Sequence, residues 1–360
     1  ITNYCDVREL ISNTPVNGKF MTNAFYHFDS YMAVYFFNEL GVETKIERGN
    51  RVFPTSDKAN DVVEALKKRA DKVGVKFIYR AVEKINKFGE IFAIKLQDQS
   101  VLKAKKLIIA TGGKSYPGTG STGDGYQFAE SFGHSITPII PSLVPISAKY
   151  FENKKTLVTD LQGLSLKNAA IKIYDKNNKV VYKDFGEMLF THFGVTGPMI
   201  LSASSHLRKI DNQILEIDLK PALDEKKLAT RLLREIEQAP RKKVENVLKH
   251  LLPKKLIPII IELAELDADK QIGQITKKER NDLFSKLKKL RIKLEKFRSI
   301  KEAIITSGGV NIKEIDPSTM ESKLVSNLYF IGEVLDVDAY TGGFNLQVAW
   351  SSAIVAADSC

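Results

Sequence analysis

The spacing of apolar and polar positions divides the chain into stretches of different texture. Over 57–73 the sequence DKANDVVEALKKRADKV places Ala59, Val62, Val63, Leu66 and Ala70 on one helical face with charges opposite, which predicts a surface helix. Gly74 can end it, and the β-rich run 75–82 predicts a strand. Further strands are expected at 82–86, 91–96 and 106–110, with Lys87-Phe88-Gly89-Glu90 as the first turn. Helix, strand, hairpin, strand is an α/β order. After Pro141 short strands separated by polar turns, such as 169–174 and 180–182, predict a β-rich unit. Over 223–299 Leu and Lys recur at helical spacing, broken at Pro240 and Pro253, which predicts about four helices. Strand-like runs return at 303–307 and 328–331, and 345–358 reads as a final helix. The expected architecture is therefore one α/β domain, 1–143 plus 300–360, interrupted by a β-rich insert at 144–221 and a helical insert at 222–299.

Composition narrows the function classes. The 360 residues are 43% hydrophobic and 27% charged, as in ordinary globular proteins. Cys5 and Cys360 lie at opposite ends, with no CxxC pair and no His at ligand spacing, so neither a disulfide framework nor a zinc site is expected. A reducing, cytoplasmic setting fits that usage. The longest apolar runs, such as 256–263, fall far short of the ~20 residues that span a bilayer, and no membrane anchor is expected. The net charge of +11 raises a nucleic-acid partner, because Lys and Arg concentrate between 220 and 301. Acidic residues interleave with them and no stacking aromatics accompany them, which is the texture of solvated helix faces.

Two segments carry candidate chemistry. In KLIIATGGKSYPGTGSTGDGY an apolar strand runs into Ala110, Thr111, Gly112 and Gly113, and a Gly-rich loop precedes a helix from about Asp124. Such glycines let backbone approach a ligand, and a helix start favours an anion. No Gly-Lys-Ser/Thr follows at Walker spacing, which disfavours ATP hydrolysis. In NLYFIGEVLDVDAYTGGFNLQ a strand ends in Gly332-Glu333, and Thr341-Gly342-Gly343 leads into a helix near Asn345. Glu333 can accept hydrogen bonds from sugar or ribityl hydroxyls. The N–H groups of Gly343, Phe344 and Asn345 suit a flavin edge that becomes negative on reduction.

With Arg51-Val52-Phe53-Pro54, LFTHFGVTGP from Leu189 and TSGGV from Thr306, these motifs run in order along the whole chain. The chain resembles the aminoacetone oxidase-like or BaiN-type NAD(P)/FAD-dependent oxidoreductases, relatives of the glutathione-reductase-like flavoproteins. The resemblance implies a Rossmann-like FAD-binding domain with inserted units, FAD as cofactor with NAD(P)H as a reductant it admits, and a small-molecule substrate. Either NAD(P)H-linked reduction or amine oxidation by O2 fits the family. It further implies that Ala110, Thr111, Gly112 and Gly113 lie near the cofactor, that Val82 contacts the adenine side, and that Gly332, Glu333, Asp336, Gly342, Gly343, Phe344, Asn345 and Leu346 contact the ribityl chain and flavin. Family members carry a strand, GxGxxG turn, helix and ribose-binding acid ahead of a Thr-Asn pair, which here is Thr2-Asn3. Lacking that βαβ unit, these 360 residues are expected to hold FAD weakly or not at all and to be inactive, with apolar sheet faces exposed.

Other residues are weaker candidates. His192 sits among apolar residues in a Gly- and Pro-flanked loop, a pattern more common for structural than for acid/base histidines. Tyr116, Tyr340 and Arg51 read as packing or positioning groups, and Asp336 with Asp338 is too few ligands for calcium. Ser202, Ser204 and Ser205 near His206 lack a nucleophile elbow. The alternative to a flavoenzyme is a non-catalytic module that binds nucleic acid through its basic helices.

Overall fold

A computed structural model describes residues 1–152 and 154–360. The chain forms two compact units, Ile1–Ser142 with Ala303–Cys360, and Leu143–Glu302. The first unit is α/β. Strand Leu107–Ile109 pairs in parallel with Leu328–Phe330, in the register Leu328 to Leu107 and Phe330 to Ile109. The hairpin expected around residue 89 is present as Val82–Phe88 and Ile91–Leu96, extended by Val101–Ala104 into a three-stranded antiparallel sheet. Thr2–Asn3, Arg51–Pro54 and Thr44–Glu47 form a third small sheet. The first two of these sheets share a core with the final helix through Phe92, Ile109, Tyr329, Phe330, Val348 and Val355, each side chain contributing about 1.5–3 kcal/mol of burial.

The final helix, Phe344–Ser359, crosses this core. Gln347, fully buried, accepts from the Thr2 hydroxyl at 2.6 Å and donates to the Phe28 carbonyl at 2.9 Å. Trp350 meets Phe37 edge-on at 5.3 Å between ring centroids. The helix expected over 57–73 spans Ala59–Lys72, but Val63 is 58% exposed, so its packing face is Val62, Ala65 and Leu66 instead. The strand expected at 75–82 does not form before Val82. Residues 75–81 have no ladder partner among the described residues, and β-propensity without a neighbouring strand supplies no hydrogen bonds.

The second unit is built on a seven-stranded sheet in the order Leu290–Lys293, Ile214–Asp218, Ser165–Tyr174, Val180–Thr191, Gly194–Thr196, Ile146–Ser147 and Lys296–Phe297. Its paired strands are antiparallel throughout. The texture change near residue 222 does not divide it. Leu228, Leu232, Leu256, Ile260, Leu283 and Leu287 of the helices share one core with Ile171, Ile173, Phe190 and Ile217 of the sheet. Helix Glu225–Gln238 is capped by Asp224, which accepts from the Lys227 N–H at 2.7 Å. Helix Pro198–His206 starts on Pro198, whose missing N–H costs nothing in the first turn.

Candidate functional site in the first unit

Parallel pairing brings the two Gly-rich motifs together. Ile109 and Phe330 end their strands side by side, and the Ile331 N–H donates to the Ile109 carbonyl at 3.1 Å. Thr111-Gly112-Gly113 and Gly332-Glu333 thus leave the same carboxyl edge, where α/β folds place their ligands. Between them stands Thr306, at the centre of strand Ile305–Ser307. Its hydroxyl accepts the N–H groups of Lys114 at 2.7 Å and Ser115 at 3.0 Å. Its own N–H donates to Glu333 Oε1 at 2.8 Å, and the Ser115 hydroxyl donates to the same oxygen at 3.2 Å. Gly113 fits only because it has no side chain, since a Cβ would lie 2.8 Å from that of Thr306 and against the Glu333 carboxylate.

This clamp fixes one Glu333 oxygen and leaves the second without a protein partner among the described residues. Tyr126 is buried beside it. Burial raises its phenol above the ordinary range, and the Glu333 and Asp336 carboxylates add to the shift, so it stays neutral. Asp336 is itself buried, with its N–H on the Val310 carbonyl at 3.1 Å and its carbonyl on Asn17 Nδ2 at 2.6 Å.

The second motif closes on strand Thr2–Asn3. Gly343 has φ +104°, and a Cβ there would strike the Thr2 carbonyl and approach the Asn3 nitrogen to 2.8 Å. Asn3 Nδ2 donates to the carbonyls of Gly342 at 3.0 Å and Gly49 at 2.9 Å. The Asn345 side chain accepts from the Ala339 N–H and donates to the carbonyls of Ala339 and Tyr340, tying the 339–345 loop into a ring. The N–H groups of Phe344, Asn345 and Leu346 take no protein acceptor among the described residues. A helix start with unmet donors and its positive dipole end is suited to an anionic or electron-rich edge. Gly332 is joined to this helix through its N–H on the Ser352 hydroxyl at 3.0 Å.

Of the remaining candidates, Arg51 lies beside the second loop, its Cγ 3.9 Å from where a Gly342 Cβ would stand, and Tyr116 follows the first loop by three residues. Val82 opens strand Val82–Phe88 and packs into the same core as Leu328 and Phe330. His192 belongs to the second unit, exposed in the turn between Val180–Thr191 and Gly194–Thr196 with its ring edge-on to Phe193. Tyr116 is 52% exposed, and Arg51 donates through Nε to the Arg48 carbonyl at 3.1 Å. Sequence reasoning gave no role to Thr306 and Ser115. The TSGGV motif was the available signal, but Thr306 meets Ser115 across 191 positions and Ser115 meets Glu333 across 218.

Residues 1–359 match the profile of the HI0933-like protein Rossmann domain. The chain belongs to that family. HI0933-like proteins are, as a group, FAD-type oxidoreductases, which agrees with a pair of loops at the carboxyl edge of parallel strands. The chain is similar to the ribosomal RNA dihydrouridine synthase of Haemophilus influenzae, 37% identical over 307 residues that cover 83% of this chain and 72% of that protein. It is similar to the 3-dehydro-bile acid delta(4,6)-reductase of Clostridium scindens, 30% identical over 346 residues, or 94% and 82% of the two chains. It is also similar to the ribosomal RNA dihydrouridine synthase of Escherichia coli, 32% identical over 338 residues, or 94% and 80%. No helix among the described residues is long and apolar enough to cross a membrane.

Proposed function

We propose that the Rossmann unit holds the flavin end of FAD between its 110–113 and 342–346 loops, and that the protein uses it to reduce a carbon–carbon double bond conjugated to a carbonyl, at the expense of NAD(P)H. The observation that carries this reading is the meeting of the 111–113 and 332–333 loops at one strand edge, with Gly332 held through Ser352 to the helix whose first three N–H groups are unmet among the described residues. Those donors suit the N1–C2=O edge of a flavin, and the second Glu333 oxygen suits a ribityl hydroxyl. When bound, FAD carries the hydride between nicotinamide and substrate carbon. The chain contributes preorganisation: Thr306 and Ser115 hold Glu333 in place, and Asn345 holds the loop that aims the helix start. Fixed dipoles of this kind need no reorganisation as charge develops.

The names of the relatives favour reduction over amine oxidation. Dihydrouridine is uridine with its C5=C6 bond saturated, and a delta(4,6)-reductase saturates ring double bonds of a 3-oxo steroid. Both bonds conjugate to a carbonyl, so one flavin chemistry serves both. Because these 360 residues by themselves are expected to hold FAD weakly, the site is tested by FAD titration, followed by absorbance, of a protein with a GxGxxG βαβ unit joined ahead of Ile1, with Gly343→Val as the probe. The variant is expected to weaken FAD binding by about a hundredfold, ~2.7 kcal/mol, and to abolish NAD(P)H consumption with an enone or a uridine-containing RNA. Equal FAD affinity in the variant would remove the 342–346 loop from the site.

A further inference from the structure

The net charge of the chain is confined to one unit. Leu143–Glu302 carries 33 Lys and Arg against 21 Asp and Glu, whereas Ile1–Ser142 with Ala303–Cys360 carries 21 against 22. Within the basic unit the surplus is uneven. The stretch 239–255 holds six cations and one acid, Glu245. Two of the six are neutralised, Lys243 by Asp269 at 2.6 Å and Lys249 by Glu245 at 3.4 Å. Arg241, Lys242 and Lys254 are exposed and meet no carboxylate among the described residues. A second observation points the same way. Half-buried Lys220 has the Arg231 guanidinium as its charged neighbour, and neither is paired with an acid among the described residues. Burial holds the Lys220 amine below its ordinary range and Arg231 lowers it further. An anion placed there relieves both.

We propose that the inserted unit, and not the Rossmann unit, is the docking surface for an RNA backbone, with Arg241, Lys242 and Lys254 among its phosphate contacts. Charge complementarity selects a polyanion: twelve surplus positive charges on 160 residues match a repeating phosphate chain. The choice of RNA among polyanions rests on the proposed function, in which a uracil ring is one of two acceptors. The unit would hold the backbone without reading sequence, since phosphate contacts position rather than specify.

The test is equilibrium binding of a fluorescein-labelled RNA hairpin to the whole protein across a salt series, which needs neither flavin nor turnover. A failed reductase assay would therefore leave it standing, and the reverse holds too. The affinity is expected to fall log-linearly with salt. The triple variant Arg241→Gln, Lys242→Gln, Lys254→Gln is expected to bind about tenfold more weakly and with a slope smaller by about two to three. The matched variant Lys67→Gln, Lys68→Gln, Lys72→Gln, on the exposed face of helix Ala59–Lys72, is expected to bind as the wild type does. Circular dichroism melts establish that both variants are folded. The proposal is overturned by salt-insensitive or undetectable RNA binding, by an unchanged triple variant, or by an equal loss in the Rossmann-unit variant. Tighter binding to phosphatidylserine vesicles than to RNA would overturn it as well.

Discussion

The Rossmann unit and the inserted unit differ in where their apolar residues and charges lie. The inserted unit covers its sheet with helices, and Ile171, Ile173, Phe190, Leu215 and Ile217 are fully or almost fully buried. Its surface is strongly basic. The Rossmann unit is nearly neutral and leaves Val75, Phe77, Ile78 and Tyr79 about half or more exposed in one short segment. Its order is concentrated elsewhere, at the edge where Thr306, Glu333, Gly343 and Asn345 are fixed by hydrogen bonds or close backbone contact. Two kinds of selection are visible in one chain. One unit is shaped around a small polar site, and the other around a core that carries a charged exterior.

That contrast is sharpest in how the two apolar sets should respond to truncation. Phe190→Ala removes a ring from the closed core of the inserted unit and is expected to cost about 3–5 kcal/mol in urea unfolding. Tyr79→Ser alters a residue that is 76% exposed and is expected to stay within about 0.5 kcal/mol of wild type. A large loss from Tyr79→Ser would show that the 75–81 segment is packed in solution, and the contrast would fail.

Acid acts next, on a buried histidine of the Rossmann unit. In the Rossmann unit His134 is buried, with Nε2 at 2.8 Å from the Ser322 hydroxyl and Nδ1 at 3.1 Å from Glu314. The Ser322 oxygen already accepts from the N–H groups of Leu324 and Val325, so its proton goes to Nε2 and the histidine is the neutral Nδ1–H tautomer. Burial lowers the His134 pKa from its ordinary 6.5, against the opposing pull of Glu314. The unfolded chain therefore takes up the proton first. The stability that neutral His134 contributes is present above pH 6.5 and declines as pH falls below it, by up to about 1.4 kcal/mol per pH unit. A His134→Gln variant is expected to show a flatter pH dependence below 6.5, measured by urea unfolding at stepped pH. An unchanged slope would assign the acid sensitivity to other groups.

Legibility in the sequence followed the range of the interactions. The helical texture of 223–299, within which Glu225–Gln238 and Lys277–Lys288 lie, was plain because periodicity acts over a few residues. Both Gly-rich loops were plain because strand, glycines and helix follow one another directly. What escaped were pairings between distant segments. Strand Leu290–Lys293 lies in a stretch of helical texture but completes the sheet beside Ile214–Asp218, which merges two expected inserts into one unit. The Thr306 clamp joins residues 115, 306 and 333, and no local pattern records it. Run 75–81 shows the converse, since its composition is that of a strand while strand formation depends on a partner.

The smallest expected effect sets the inserted unit's own acid response against that of His134. Thr276 caps helix Lys277–Lys288 in a reciprocal box, its hydroxyl accepting the Glu279 N–H at 3.2 Å while Glu279 accepts the Thr276 N–H at 2.7 Å. Lys270, at 2.8 Å, is the first cause that holds the Glu279 carboxyl down to about 2, and the Thr276 hydrogen bonds follow. The folded pKa is depressed, so the contribution is present above the ordinary 4.5 and is lost as pH falls from there towards about 2. Acid should thus reach His134 about two pH units before this helix. Thr276→Ala is expected to cost about 1 kcal/mol at neutral pH, with the difference from wild type narrowing below pH 4 or so as Glu279 protonates in both. Urea unfolding at pH 7 and at stepped acid pH measures both terms, and a difference that widens in acid would mean that the box does not depend on the ionised carboxylate.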